Sequence, residues 1–260
     1  MINDNTFQVK LLHQLICPKQ GEDIEDCQDA LDVNLEINRF AVADGVSRSF
    51  YPALFSKQLT QFFCSANDSV NLELFHHGDW KKWLEISQKN WIENVQEIVK
   101  HTHKYYIKNR FYNNEPAGST FAGIEFYQNE NQSIFWNAMI IGDSCIIHFD
   151  KACQKSNKYL IQSSKDFNFT PSYFPSRPIV DNPFKPSFII DQTVSIDDVF
   201  IIATDAISKW ILMLMETSQT HLLSDIHNIS YQMIDQFRSD DALENDDIAL
   251  LVIKIVKPAT

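Results

Sequence analysis

Phe40-Ala41-Val42-Ala43-Asp44-Gly45 runs apolar for four residues and then stops on a carboxylate followed by a glycine. A short run of that kind reads as a buried strand delivering an Asp to a sharp turn. Two further stretches share the form, Met139-Ile140-Ile141-Gly142-Asp143-Ser144 and Val199-Phe200-Ile201-Ile202-Ala203-Thr204-Asp205. A fourth runs the other way, with Asn245-Asp246-Asp247 leading into the apolar run Ile248 to Ile253. Strands that end or begin on acids bring carboxylates to one edge of a sheet, where their mutual repulsion needs compensating cations. Hard oxygen ligands with few His or Cys nearby point to Mg²⁺ or Mn²⁺.

In order and spacing these pieces resemble the metal-dependent serine/threonine protein phosphatases of the type 2C class (PPM), and especially their compact bacterial members. The matching stretches are Gln28-Asp29-Ala30, Phe40 to Gly45, Gly118-Ser119-Thr120, Ile141-Gly142-Asp143-Ser144, Ile202 to Asp205 and Asp246-Asp247-Ile248, which span most of the chain. An Asp-Gly after a strand is usually just a turn, so it is the shared order, not any one piece, that carries the resemblance.

The resemblance implies an α+β fold: a four-layer α-β-β-α sandwich of two packed, largely antiparallel β-sheets flanked by helices, with the metals at one end. It implies hydrolysis of phosphoserine and phosphothreonine in proteins by attack of a metal-bridging water or hydroxide on phosphorus. The cofactors would be two Mn²⁺ or Mg²⁺ ions, with a weaker third in several members. Asp44 would bridge the two ions, Asp205 and Asp246 complete the first site, and the Gly45 carbonyl and Asp29, directly or through water, serve the second. Asp143, with Asp205, matches the acids that hold the third.

Two positions depart from the family pattern. Many members carry a phosphate-binding Arg five residues before the Asp29 position, where this chain has Ile24, which cannot donate bidentate hydrogen bonds. Arg48 and Lys19 are candidate replacements, although ordinary surface roles suit either equally. The usual Gly after the Asp205 position is Ala206, a mild change unless the turn needs positive φ. These departures motivate an alternative, a catalytically weak type-2C-like regulatory module that binds a phosphoprotein or partner. Retention of Asp29, Asp44, Asp205 and Asp246 counts against it. A haloacid-dehalogenase-like phosphatase would need a second acid two residues after its nucleophilic Asp, and Asp44 is followed there by Val46.

At 260 residues, 44% hydrophobic and 12% aromatic, the chain is expected to form one folded domain over residues 1–260, with a variable flap-like segment at about 151–195 broken by Pro171, Pro175, Pro178, Pro183 and Pro186. A net charge of -12 argues against a nonspecific nucleic-acid binder, so the expected partner is a phosphorylated protein. Met1 to Gln20 shows no secretory pattern and no apolar run reaches membrane-spanning length, so the expectation is a cytoplasmic protein without a membrane partner. Cys17, Cys27, Cys64, Cys145 and Cys153 form no C-x-x-C pair and fit a reduced setting, with Cys145 in the core.

The remaining pattern predicts a first strand over Phe7 to Ile16, a helix from Pro52 through Ala66, and a longer helix capped by Asp79 and running past Tyr105 until Pro116. His76, His77, His101 and His103 are expected to be solvent-exposed. Strands are expected over Ser119 to Tyr127, Ser133 to Ile141 and Cys145 to Phe149, joined tightly enough to pair antiparallel in sequence. A helix over Ala206 to Glu216, a last helix over about His221 to Phe237 and a final strand to Val256 complete the expectation.

Overall fold

The computed structural model describes residues 7–66, 71–72, 75–151, 156–167, 170–178, 184–219, 223 and 225–258. Cys153, Pro183, the side chain of His76 and the start expected for the last helix at His221 lie outside the described residues.

Alternation explains why the opening stretch is apolar throughout. In β3 (Arg39–Ala43), Phe40 and Val42 pack toward a second sheet, while Ala41 and Ala43 pack under helices. A strand buried on both faces has no polar side to show. The same division holds in β11 (Val199–Ala203) and β12 (Ile248–Val256): Phe200, Ile202, Leu251 and Ile253 enter the core between the sheets, and Ile201, Ala203, Leu250 and Val252 enter a core beneath helices.

One five-stranded sheet has the order β1 (Gln8–Cys17), β12, β11, β7 (Cys145–Phe149), β8 (Ser156–Tyr159). The other has the order β10 (Ser187–Thr193), β6 (Ile134–Ile141), β5 (Phe121–Gln128), β3, β2 (Ala30–Asn34). Every ladder is antiparallel. Short strands β4 (Gly118–Ser119) and β9 (Phe174–Pro175) pair separately. Helices α1 (Pro52–Cys64) and α2 (Trp80–His101) cover the second sheet through Phe55, Phe63, Trp83 and Trp91. Helices α4 (Asp205–Glu216) and α5 (Tyr231–Ser239) cover the first through Ile207, Trp210, Ile211 and Ile234. The result is the four-layer α-β-β-α sandwich expected from the sequence.

Several local expectations are corrected. β6 and β7 do not form a hairpin; Gly142-Asp143-Ser144 carries the chain from one sheet to the other. Gly142 permits that crossing, since it sits at φ 87° and a Cβ there would lie 2.6 Å from the Ser172 carbonyl oxygen. The long helix ends at His101, and α3 (Tyr105–Tyr112) begins anew after an extended Thr102, whose hydroxyl accepts from the Lys104 N–H at 3.2 Å. Tyr105 is consequently on the surface, not in the apolar stripe. Asp79 does not cap α2; it is itself helical and pairs with Lys82 at 3.4 Å. The last helix starts at Tyr231, where the Ser230 side chain accepts from Met233 N–H. The segment expected as a flap supplies β8 and β10, an edge strand to each sheet. β2, directly after Asp29, was not evident from the pattern because its side chains are only half-buried.

Candidate metal centre

The registers bring the acids together. Asp44 follows Ala43, which pairs with Ala30, so Asp29 and Asp44 sit side by side at one end of β2 and β3. Ala203 pairs with Cys145 on one flank and Leu250 on the other, which sets Asp205 between Asp143 and the Asp246-Asp247 turn. The centre is thus built from the ends of both sheets.

Backbone contacts fix the turn that presents Asp44. Gly45 N–H donates to the Gln28 carbonyl at 3.2 Å, and a Cβ at Gly45 would lie 2.7 Å from that oxygen and 2.9 Å from Pro52 Cβ. Only glycine allows this approach. The Asp44 carbonyl accepts from Thr120 N–H at 2.9 Å and from Ser119 Oγ at 3.0 Å, which explains the role of the Gly118-Ser119-Thr120 stretch.

The side chains form a crowded acidic group. Asp29 and Asp143 are 6% and 4% exposed, and Asp29 Oδ2 and Asp143 Oδ1 are buried without a hydrogen-bond partner. Leaving such acceptors unmatched is costly. Burial raises Asp29 well above the ordinary carboxylate range, with Asp44 and Asp205 adding to it and a hydrogen bond from Thr204 opposing. Asp44, Asp143 and Asp205 are each pushed up to about 7, by burial first and then by a neighbouring acid: Asp143 for Asp44, Asp205 for Asp143, and Asp44 for Asp205. Asp246 acts on all three.

Orphaned carboxylate oxygens in an all-oxygen set fit a hard divalent cation. Among the described residues, no three His, Cys, Asp or Glu side chains converge on one point as a metal-binding group. Local donors account for part of this: Asp205 Oδ1 accepts from Ala206 N–H at 2.6 Å, and Asp246 Oδ1 accepts from Asp247 N–H at 2.8 Å and Lys19 Nζ at 3.0 Å. Burial works against the charge on Lys19, but Asp246 and then Asp247 outweigh it and raise its pKa.

Asp247, beside the expected ligand Asp246, has a structural role that the sequence analysis does not assign. It is 2% exposed, and its two oxygens accept from the N–H groups of Lys19 and Gln28, each at 2.9 Å. It therefore ties the loops bearing Lys19 and Asp29 to the start of β12, and the Asp-Asp doublet was the available signal. Arg238, buried beneath the same turn, donates to the carbonyls of Pro18 (2.9 Å) and Asp246. Arg48 is exposed, at φ 68°, and Ile24 is 56% exposed. Ala206 lies inside α4, so no positive φ is demanded of it. His101 is exposed and pairs with Glu97 at 2.9 Å, and His77 and His103 are also exposed. Cys145 is in the core, and burial raises the thiols of Cys17, Cys27, Cys64 and Cys145. Among the described residues, no helix is long and apolar enough to cross a membrane.

No family model matches the chain, and no curated protein matches it by sequence. Solved structures do match it over nearly its whole length. The catalytic domain of the serine threonine protein phosphatase PstP, in complex with two manganese ions, is 12% identical, with a TM-score of 0.58 over 97% of this chain and 100% of its own. The S. agalactiae serine/threonine phosphatase is likewise 12% identical, with a TM-score of 0.58 over 96% of this chain and 100% of its own. PppA, a key regulatory component of T6SS in Pseudomonas aeruginosa, is 14% identical, with a TM-score of 0.57 over 96% of this chain and 97% of its own. At these identities the likeness establishes the fold, which is that of the PPM-type serine/threonine phosphatases.

Proposed function

We propose that the chain is a metal-dependent phosphatase that hydrolyses phosphoserine and phosphothreonine in proteins. The observation that carries this reading is the pair of buried, partnerless carboxylate oxygens on Asp29 and Asp143 within a group of mutually repelling acids. Asp44 would be shared between two Mn²⁺ or Mg²⁺ ions, with Asp205 and Asp246 at one, Asp29 and the Gly45 carbonyl at the other, and Asp143 with Asp205 at a weaker third. Bound there, the ions would supply an acidified water and neutralise charge on the phosphoryl group.

The chain's own residues do the remaining work. Raised pKa values mean that the acids hold protons near neutrality without ions, so metal loading must release them. A metal held by Asp246 would compete with Lys19 for that carboxylate, and Lys19 and the exposed Arg48 are the candidate donors toward phosphate. The Gly45 and Gly142 close approaches fix the backbone turns that carry Asp44 and Asp143, although among the described residues the carboxylates themselves do not converge on one point.

A regulatory module that binds a phosphoprotein without fast turnover is the second reading. It is favoured by the exposed Ile24, which gives no guanidinium for phosphate. Hydrolysis of p-nitrophenyl phosphate and of a phosphoserine peptide, with Mn²⁺ and then with EDTA, tests both. Turnover that needs Mn²⁺ and vanishes in chelator is expected. Equal turnover in chelator overturns the metal mechanism, and binding without turnover under any metal selects the module.

A further inference from the structure

The chain carries 34 acidic residues against 22 Lys and Arg, yet residues 98–114 hold Lys100, Lys104, Lys108 and Arg110 and no Asp or Glu; the flanking Glu97 and Glu115 pair with Lys100 at 2.8 Å and Arg110 at 2.5 Å. Those residues end α2 and form α3. Lys104 is exposed, and among the described residues neither it nor Lys108 has an ion-pair partner. Tyr105, Tyr106 and Tyr112 on the same helix are 76%, 59% and 71% exposed, an unusual concentration of aromatic surface.

This surface is joined to the metal end. Arg110 Nη2 donates to the Arg48 carbonyl at 3.0 Å, and its guanidinium lies 5.0 Å from the centre of the Phe50 ring. Arg48 stands four residues after Asp44, and both Arg48 (φ 68°) and Tyr51 (φ 55°) adopt the left-handed conformation. Two such non-glycine residues within four positions mark a loop held in place by its surroundings. The clamps are visible: Phe50 N–H donates to the Pro116 carbonyl at 3.1 Å, Gly118 N–H to Ser49 Oγ at 3.2 Å, and Trp91 Nε1 to the Tyr51 carbonyl at 3.3 Å. Tyr51 lies within electrostatic reach of Tyr106 and Arg110. Arg177 adds a further cation, 5.0 Å from the Phe111 ring and bonded to Asn114 at 3.1 Å.

We infer that α3 and the loop 46–51 form a docking surface for an acidic segment of the phosphoprotein substrate, lying beside the phosphorylated residue. Charge complementarity selects the occupant: a cationic strip on a strongly acidic protein attracts an acidic chain. Exposed tyrosines interleaved with lysines offer that chain flat apolar contact and hydroxyl donors with little rotamer entropy to lose. The inference rests on the phosphatase reading only for the identity of its occupant.

Fluorescence anisotropy in EDTA, at physiological salt, tests it with two labelled phosphoserine peptides, one flanked by Asp and Glu and one by Lys and Arg. The parent should bind the acidic peptide about tenfold more tightly, the scale of two rim charges acting together. Lys104→Glu/Lys108→Glu should erase that preference while leaving Mn²⁺-dependent p-nitrophenyl phosphate turnover and thermal stability unchanged. Lys81→Glu/Lys89→Glu, with the same charge change on α2, should keep it. No preference in the parent, equal loss in both double variants, or tighter binding to phosphatidylserine vesicles than to the acidic peptide would overturn the proposal. An acidic preference retained by a protein that turns over nothing upholds the surface and sinks the phosphatase reading alone.

Discussion

β7 and β11 carry buried carboxylates at both of their ends, and the two ends satisfy them oppositely. At one end Asp198, 5% exposed, accepts from the Ser195 N–H at 3.0 Å and sits 2.9 Å from His148 Nε2. His148 in turn stacks flat on Phe200, with ring centroids 4.4 Å apart, and meets Trp136 edge-on. At the other end Asp143, 4% exposed, leaves Oδ1 without a partner and faces Asp205 and Asp246. Burial is the same at the two ends, so burial does not distinguish structural from functional acids. The surroundings do: Asp198 meets a backbone N–H and an imidazole through Oδ2, whereas Asp143 has a bare Oδ1 and other acids for neighbours.

The sharpest way to break this contrast is Asp44→Asn. The charge shared by the centre disappears while the shape stays, so Mn²⁺-dependent hydrolysis should fall on the order of a thousandfold or more. Thermal unfolding in EDTA should show a fold at least as stable as the parent, because fewer carboxylates repel one another. Parental turnover would make Asp44 an ordinary turn residue.

Asp198→Ala tests the opposite end. Removing the carboxylate leaves the His148 ring and the Ser195 N–H without their acceptor, and denaturant titration should show a loss of about 2 kcal/mol. Turnover per folded molecule should stay near parental. A stability loss confined to Asp143→Ala instead would invert the assignment of the two ends.

Asp143→Ala itself should act on turnover. With Asp29, Asp44, Asp205 and Asp246 intact, calorimetric titration should still find two tight ions, while kcat falls about tenfold and KM changes less. Retained kcat would reduce Asp143 to a turn residue.

The smallest effect is the pH dependence of the ion-free protein. Asp44, Asp143 and Asp205 rise from 3.8 to about 7 on folding, so the folded state binds more protons than the unfolded one between those values. Stability in EDTA should therefore be fullest at the acidic end of that window and decline by several degrees of melting temperature as pH rises through it. Saturating Mn²⁺ should flatten or reverse the slope, and a slope unchanged by Mn²⁺ would mean that the ions bind elsewhere.

The central strands were legible because burial on both faces leaves an uninterrupted apolar run, and a run that stops on Asp marks its own end. That pattern marks Asp44, Asp143, Asp205 and the Asp246-Asp247 doublet as strand-end acids, and their roles as ligands come from the family resemblance. Asp29 needed the motif, since the half-buried β2 beside it has no such signature. Asp198 and His148 were invisible, being 50 residues apart and joined only by the β7–β11 register. The β6–β7 crossing is not legible in the sequence because a tight turn looks alike whether the chain returns to its own sheet or leaves it. Which sheet receives a strand is decided by packing across the core, and that information is not local.

β1 opens the described chain, and its one strand neighbour is β12, which closes it. β11 can pair with β7 before then, but β1 has no ladder to join until residues 248–256 have been made. The second sheet draws all five of its strands from residues 30–193 and is free to assemble earlier. Until residues 248–256 have been made, the first sheet lacks the strand that joins β1 to β11, a topology that folds slowly and leaves apolar surface exposed meanwhile. The turn bearing Asp246 and Asp247 arrives with that same final strand, so the chain cannot assemble its full set of acids before its fold is closed.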